Sequence, residues 1–387
     1  MPWKELNKME ERLSFVLKSL SSETNFSELC SEYGISRKVG YKWKKRFMER
    51  GKPGLFDLSK RPQNSPNQLS EDVICKIIKL KNGPIKKHWG ARKLRQIYLN
   101  EHGDAPSESS FKRILEKAGF VKKRRKRKSY PKERIEEKII PVKPNELWTV
   151  DFKGWWMTSD NKKCEPLTIR DDFSKYILLA MPLGNSKTET VKNAFKKVFR
   201  KYGIPDYIKS DNGSPFACTR SPQGLSALSS WWVSLGIGLD RIRPGHPEEN
   251  GSHERMHRDL KFEIQKPLHG GLRTFEHALE VWRKSYNDER PHETLGLKIP
   301  NEIYKKSERK YIETSVIEYP VNYMRRKVMS NGQVCLNGAK INLTASIRGH
   351  YVGIKPVDEG IMEVWFDYLN LGIIDIEKEI FISASQH

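Results

Sequence analysis

The stretch "ELWTVDFKGWWM" (146–157) is where the periodicity of this chain changes from helical to alternating. Trp148, Val150 and Phe152 fall on one side of an extended segment, and Thr149, Asp151 and Lys153 on the other. An apolar face backed by a polar one describes a strand with one side in a core. Asp151 stands out, because an acid among aromatic neighbours is costly to bury unless it is paired or holds a metal. The alternation continues downstream. "CEPLTIRDDFSKYILLAMPL" (164–183) reads as a strand, a turn at Asp171–Asp172 and a second strand. Residues 186–203 form an amphipathic helix closed by Gly203. "IPDYIKSDNGSPF" (204–216) is a short strand entering a turn that carries Asp211. A helix over 222–236, a strand over 237–242 and helices over 247–265 and 272–288 complete the run. The order β-β-β-α-β-α-β-α places this region in the mixed α/β class.

Upstream, the chain is helical. "FSELCSEYGISRKVGYKWKKRF" (26–47) has the shape of a helix-turn-helix: Phe26, Leu29 and Cys30 give a short helix its apolar face, Gly34 allows a tight turn, and Ser36 caps the next helix. That helix carries Arg37, Lys38, Tyr41, Lys42 and Lys45, cationic and aromatic groups suited to a major groove. "GKPGLFDLSKRPQNSPNQLS" (51–70) reads as a linker. A second three-helix unit comes next, with Ser70 and Ser107 as caps and Gly119 at a helix end. "KKRRKRK" (122–128) is a basic run that cannot fold alone, and its Lys123, Arg124, Arg125 and Arg127 are candidate phosphate contacts. Downstream of the α/β region, strand patterns over 310–387 with turns at Asn331-Gly332, Asn337-Gly338 and Asp358-Glu359-Gly360 predict a small β-barrel or meander.

These readings give a multidomain chain with all-α helix-turn-helix units at the front. The expected parts are a helix-turn-helix domain over 1–56, a second over 69–121, a basic linker over 122–140, an α/β core over 141–305 and a small β domain over 310–387. The formal net charge of +23, from 71 Lys and Arg against 48 Asp and Glu, predicts a polyanionic partner, nucleic acid before membrane. No apolar run approaches the ~20 residues that a membrane-spanning helix needs, and the start lacks the apolar segment of a signal peptide. The five cysteines are scattered and form no C-x-x-C pair, as expected of reduced cytosolic thiols.

Three motifs occur in order: "WTVDFKG" (148–154), "SDNGSPF" (210–216) and "HPEENGSHERMHRDLK" (246–261). With "YNDERPHETLG" (286–296) behind them and the helix-turn-helix in front, the chain resembles the DDE transposases of bacterial insertion sequences, whose core is like that of retroviral integrases. The resemblance covers nearly the whole chain. It implies an RNase H-like core, two Mg²⁺ (or Mn²⁺) ions per active site, and strand cleavage and strand transfer on double-stranded DNA, both element ends and target. It also implies binding of terminal inverted repeats, a homo-multimer on DNA, no membrane, and a cytoplasmic, nucleoid-associated bacterial protein. Mapped onto this sequence, the family's first acid falls on Asp151 and its second on Asp211.

The third acid is the one that spacing and motif dispute. Counting at the family's usual spacing from Asp211 lands near Glu248, whereas Glu254 lies 43 positions on. "ACTRSPQGLSALSSWW" (217–232) is able to hold the surplus as a longer loop and helix. Helical phase favours Glu254: with Arg258 and Lys261 it shares one face, while Met256, Leu260 and Ile264 share another that would pack on the sheet. Asp151, Asp211 and Glu254 are therefore the expected metal-binding and catalytic residues, with Arg258 and Lys261 for phosphate. Glu248 and Glu249 are expected in the first turn of the helix or just before it, where acids favour the helix dipole. Asn250 is a candidate cap or DNA contact, and Asp171 and Asp172 are turn formers. His253 and His257, in "HERMH" (253–257), have a spacing zinc can use, but no third soft ligand accompanies them. Two other readings remain: a catalytically retired, transposase-derived DNA-binding regulator, and a metal-dependent nuclease that cuts without joining.

Overall fold

The computed structural model describes residues 8–21, 25–59, 68–83, 86–121, 139–243, 245–264, 270–313 and 316–384. The basic run 122–128, with Lys123, Arg124, Arg125 and Arg127, lies outside them, as does most of the expected linker over 122–140. The chain divides into two compact units, Met1–Ser70 and Glu71–His387.

The first unit holds α1 (Lys8–Leu20), α2 (Phe26–Glu32) and α3 (Arg37–Arg50). The turn between α2 and α3 obeys its chemistry. Gly34 takes a positive φ of 63°, and the Ser36 hydroxyl accepts from the Val39 N–H at the start of α3. Phe15, Val16, Leu29, Cys30 and Trp43 close the core together with Leu55. Leu55 corrects the reading of 51–70 as a plain linker. Residues 52–55 make a 3₁₀ turn that folds back on α3, so tightly that a Cβ on Gly54 would lie 2.2 Å from the Arg46 carbonyl oxygen. Pro and Gly signalled a break here; a single apolar residue in it carried no periodicity to mark burial.

The second unit opens with α4 (Glu71–Lys81), α5 (Ala91–His102) and α6 (Glu108–Lys117), which bury Ile77, Trp89, Leu94, Phe111 and Leu115. Ser107 caps α6 as expected. The sheet comes next: β1 (Leu147–Phe152), β2 (Trp156–Met157), β3 (Lys163–Asp171), β4 (Ile177–Leu183), β5 (Tyr207–Ser210) and β6 (Gly238–Arg241). The long first strand of the sequence reading breaks at 153–155, and β2 is a short extra arm on β3. The main path runs β4-β3-β1-β5-β6. β4, β3 and β1 pair antiparallel, and β1, β5 and β6 pair parallel. The parallel neighbours are reached through α7 (Thr188–Tyr202) and α8 (Ala227–Ser234). This is a mixed-sheet integrase core of RNase H-like type.

Strand alternation assigns the two faces. Trp148, Val150, Leu167 and Ile169 pack against Phe195, Phe199, Trp231 and Trp232 of α7 and α8. Thr149, Asp151, Thr168 and Arg170 face the other way, toward α9 (Gly251–Ile264), which packs with α10 (Leu272–Asp288) through Met256, Leu260, Ile264, Leu279 and Trp282. After the short α11 (Pro300–Ile303) comes the β region: β7 (Met324–Lys327), β8 (Gln333–Leu336), β9 (Ala339–Asn342), β10 (Tyr351–Asp358), β11 (Ile361–Phe366), β12 (Leu369–Asp375) and β13 (Ile380–Ser383). It is an antiparallel sheet, β13-β12-β11-β10-β7, with β8-β9 as a separate hairpin. Asn337-Gly338 turns that hairpin with positive φ at both residues, the geometry its composition called for. Among the described strands nothing pairs β13 with β7, so the sheet is a meander rather than a closed barrel.

Candidate carboxylate site

Asp151 sits at the C-terminal part of β1, Asp211 directly after β5, and Glu254 in the first turn of α9. β1 and β5 are parallel neighbours, so the first two acids leave the sheet at the same end. Asp151 is partly buried, whereas Asp211 and Glu254 are exposed. Its carboxyl is pushed up to about 7, first by burial, then by the Asp211 carboxylate, with Glu254 adding in the same sense; the Phe152 backbone N–H and Lys153 oppose this. Three acids from three elements therefore share one electrostatic neighbourhood. The Gly213 N–H donates to Asp211 Oδ1 at 3.1 Å, and Asn212 Nδ2 donates to the Ile242 carbonyl at 2.6 Å, tying the Asp211 turn to the end of β6.

The helical phase of α9 is as expected. Met256, Leu260 and Ile264 are buried, while Glu254, Arg258 and Lys261 are exposed. Glu248 and Glu249 lie just before the helix, as one of the two expected placements had it, and are paired with other residues. They lie in a 3₁₀ turn, Pro247–Asn250, that precedes α9. Glu249 pairs with Arg243 at 2.8 Å and Glu248 with His246 at 2.9 Å. The helix begins four residues later than its sequence signal, because these acids stabilise the loop rather than the helix end.

Asn250 corrects another expectation. It is buried, and its Nδ2 donates to Asp151 Oδ2 at 3.2 Å, so it holds the first acid instead of capping a helix. Asp171 and Asp172 are turn residues outside the site. Asp171 accepts from the Asn145 and Ser174 N–H groups, and Asp172 pairs with Arg170 and Lys175. Lys153 is pulled below its ordinary value by burial and then by Lys261, so two cations border the acids.

Sequence reasoning missed the groups behind Asp151. Thr168 is its cross-strand partner on β3. The Thr168 hydroxyl donates to the Asp151 carbonyl at 3.1 Å and lies 2.7 Å from His253 Nε2 and 2.7 Å from His257 Nε2. Thr149 Oγ1 lies 2.8 Å from His253 Nδ1. Arg170 reaches the Ser252 carbonyl and hydroxyl. Burial holds both imidazoles neutral: His257 is pushed down to about 3, with Lys153 and Arg170 adding to the effect, and His253 lies well below its ordinary value. The hints in the sequence were that Thr149 lies two residues before Asp151 on the same strand face, and that His253 and His257 are spaced as a pair.

The expected groove residues of the first unit, Arg37, Lys38, Tyr41, Lys42 and Lys45, are all exposed on α3, with Tyr41 stacked on Phe26. Arg290, in "YNDERPHETLG", is buried. It pairs with Asp259 at 2.6 Å and Glu263 at 2.8 Å on α9 and lies over the Trp89 ring.

Known proteins match the core and part of the helical region of this chain. Residues 141–247 and 235–300 match the Integrase core domain, and residues 39–115 match a Homeodomain-like domain. The insertion element IS407 uncharacterized 31.7 kDa protein of Burkholderia multivorans is 28% identical over 245 residues, 62% of this chain and 83% of that protein. The insertion element IS476 uncharacterized 39.2 kDa protein of Xanthomonas euvesicatoria is 25% identical over 234 residues, 60% of this chain and 64% of that protein. Among solved structures, the HTLV-2 integrase catalytic core domain in complex with magnesium is 17% identical with a TM-score of 0.31, covering 42% of this chain and 99% of that one. A simian T-cell lymphotropic virus intasome in complex with a PP2A regulatory subunit is 14% identical with a TM-score of 0.37, covering 73% of this chain and 92% of that one.

Proposed function

Because this chain is an integrase-core protein homologous to those of insertion elements, we propose that it is the DNA transposase of a mobile element. In this reading it binds the element's terminal inverted repeats and carries out metal-dependent strand cleavage and strand transfer into target DNA. End binding belongs to the helical domains over 1–56 and 69–121, catalysis to 141–305, and the β domain over 310–387 completes the chain. The observation that carries the reading is the raised Asp151 carboxyl, which feels Asp211 and Glu254 together. Carboxylates from β1, the turn after β5 and α9 offer hard oxygen donors, the kind that Mg²⁺ or Mn²⁺ takes. The chemistry supplied by two bound ions is activation of an attacking oxygen and stabilisation of a leaving one.

The chain's own residues do the rest. Asp151, Asp211 and Glu254 hold the ions. Asn250 fixes the Asp151 carboxylate through its amide. Lys261 and Arg258, exposed on the Glu254 helix, receive DNA phosphate, as Lys153 does from β1's end. Arg37, Lys38, Tyr41, Lys42 and Lys45 face the major groove of the element end. A homo-multimer is required to bring two ends together. Among the described residues no helix is long and apolar enough to cross a membrane.

The test is strand transfer by the full chain with oligonucleotide ends, target plasmid and Mg²⁺. Asp151→Asn, Asp211→Asn and Glu254→Gln each abolish joined product, and Glu248→Gln retains it. Normal joining by Glu254→Gln, or its loss in Glu248→Gln, overturns the assignment. Nicked but never joined DNA from the unmodified chain would make it a nuclease. End binding with no metal-dependent product at all would make it a regulator.

A further inference from the structure

We propose that His257 is a nitrogen ligand in the carboxylate site, pairing with Asp151 on one cation and making that position selective for Mn²⁺ or a later transition metal over Mg²⁺. This rests on the carboxylates being metal ligands, as proposed above.

The protons at Thr168 can be counted. A hydroxyl has one proton and two lone pairs. The Thr149 hydroxyl donates to the Arg170 carbonyl at 3.4 Å, so His253 Nδ1–H donates to Thr149 at 2.8 Å and the bare His253 Nε2 accepts from Thr168 at 2.7 Å. The one Thr168 proton is thus shared between His253 Nε2 and the Asp151 carbonyl at 3.1 Å, neither of which has a proton to give. A Thr168 lone pair accepts from His257 Nε2–H at 2.7 Å. His257 is not completed on its other side. With its proton on Nε2, a neutral ring leaves Nδ1 as a bare lone pair, facing Asp151 Oδ2 at 3.6 Å.

Two lone pairs facing each other repel unless a proton or a cation lies between them, and 3.6 Å is too long for a hydrogen bond. At a metal–ligand distance of about 2.1 Å, neighbouring ligands stand about 3.0 Å apart in octahedral and about 3.4 Å apart in tetrahedral geometry. The 3.6 Å gap is within a few tenths of that range. The environment matches a ligating imidazole in a second respect. Such rings donate their other N–H to a fixed acceptor, which sets the tautomer, and Thr168 is that acceptor here. Thr168 is fully buried and bonded to the Asp151 backbone, so the strand that carries the carboxylate and the helix that carries the imidazole are joined by one oxygen atom. His253 belongs to the same cluster, but both of its nitrogens are engaged by threonines, which removes it as a ligand. Asn250 occupies one lone pair of Asp151 Oδ2 and leaves the other for the cation. A mixed imidazole and carboxylate pair suits transition metals, whereas Mg²⁺ favours oxygen alone.

The experiment loads the full chain with Mn²⁺ and records electron spin-echo modulation from directly bound nitrogen, alongside Mn²⁺ and Mg²⁺ titrations. The expected result is imidazole ¹⁴N modulation in the unmodified chain that is lost in His257→Asn. His257→Asn also weakens Mn²⁺ binding by about tenfold or more while changing Mg²⁺ binding little. No nitrogen modulation in the unmodified chain, with Mn²⁺ binding still abolished by Asp151→Asn, overturns the His257 assignment and leaves the transposase reading standing; Nδ1 then carries a proton toward Asp151. Mn²⁺ binding that Asp151→Asn does not affect removes both. The spectrum of the unmodified chain decides the matter even if His257→Asn fails to fold.

Discussion

Replacing Arg290 by Met should destabilise the second unit severely, and the structure says why. Arg290 is 3% exposed and pairs with Glu263, whose side chain is 2% exposed, and with Asp259, whose side chain is 22% exposed. Methionine fills much of the stem's volume, so little is lost to a cavity. What remains is a buried glutamate with Trp282 Nε1–H, at 2.7 Å, as its hydrogen-bond donor. Burial already pushes the Glu263 carboxyl up, even with Arg290 beside it. Removing one partner of a buried pair costs about 3–5 kcal/mol, against total stabilities of about 5–15 kcal/mol. Asp259 adds little, because it reaches water. The sign with pH is definite. Without Arg290 the folded pKa of Glu263 rises further above its unfolded value. The deficit is therefore present at pH above the folded pKa and shrinks as pH falls toward the unfolded value near 4.3. Urea unfolding followed by tryptophan fluorescence at pH 8 and pH 5 measures both. Arg290→Met/Glu263→Gln should recover at least half of the loss at pH 8, since a neutral amide still accepts from Trp282. A single variant within about 1 kcal/mol of the unmodified chain, or a double variant no better than the single, would refute the reasoning.

Three further outcomes are expected from the same geometry. In the metal-free chain, the raised Asp151 pKa contributes stability below its unfolded value near 3.9 that is lost as pH rises through about 7. Asp151→Asn should accordingly raise the unfolding free energy at pH 8, by no more than about 4 kcal/mol, and Mn²⁺ binding should release close to one proton from Asp151 at pH 6, seen by calorimetry in buffers of different ionisation heat. Thr168→Val removes the hydrogen-bond partner of both His253 and His257 and should cost about 2–5 kcal/mol in urea unfolding, with Thr168→Ser recovering most of it; equal stability of Val and Ser variants contradicts the bonding described. Gly54→Ala should destabilise the first unit by about 1–3 kcal/mol, because its Cβ meets the Arg46 carbonyl oxygen at 2.2 Å, and an unchanged melting curve for that unit would rule this out.

Legibility of the sequence divides along a physical line. Periodicity shows which face of an element a residue occupies, and that was enough for the acids. Asp151 alternates away from Trp148 and Val150, and Glu254 falls out of phase with Met256, Leu260 and Ile264. Counting along the chain lands elsewhere because the segment after Asp211 has its own 3₁₀ turn and loop before α8, and chain length between two sites is free to vary. Phase is not free: one residue added inside α9 would carry Glu254 about 100° around the helix and bury or misdirect it. Across elements, nothing local in the sequence reports which residues meet. Thr168 looks like any β-branched strand residue, yet strand register sets it opposite Asp151 and the helix brings two histidines onto it from 85 and 89 positions away. Asn250 was visible as polar, but its partner lies 99 positions away. A carboxylate is recognisable from its own strand; the groups that aim it are recognisable only once the sheet order is known, so changes at Thr168, Asn250 and His257 are the ones in which loss of activity is easiest to mistake for loss of folding.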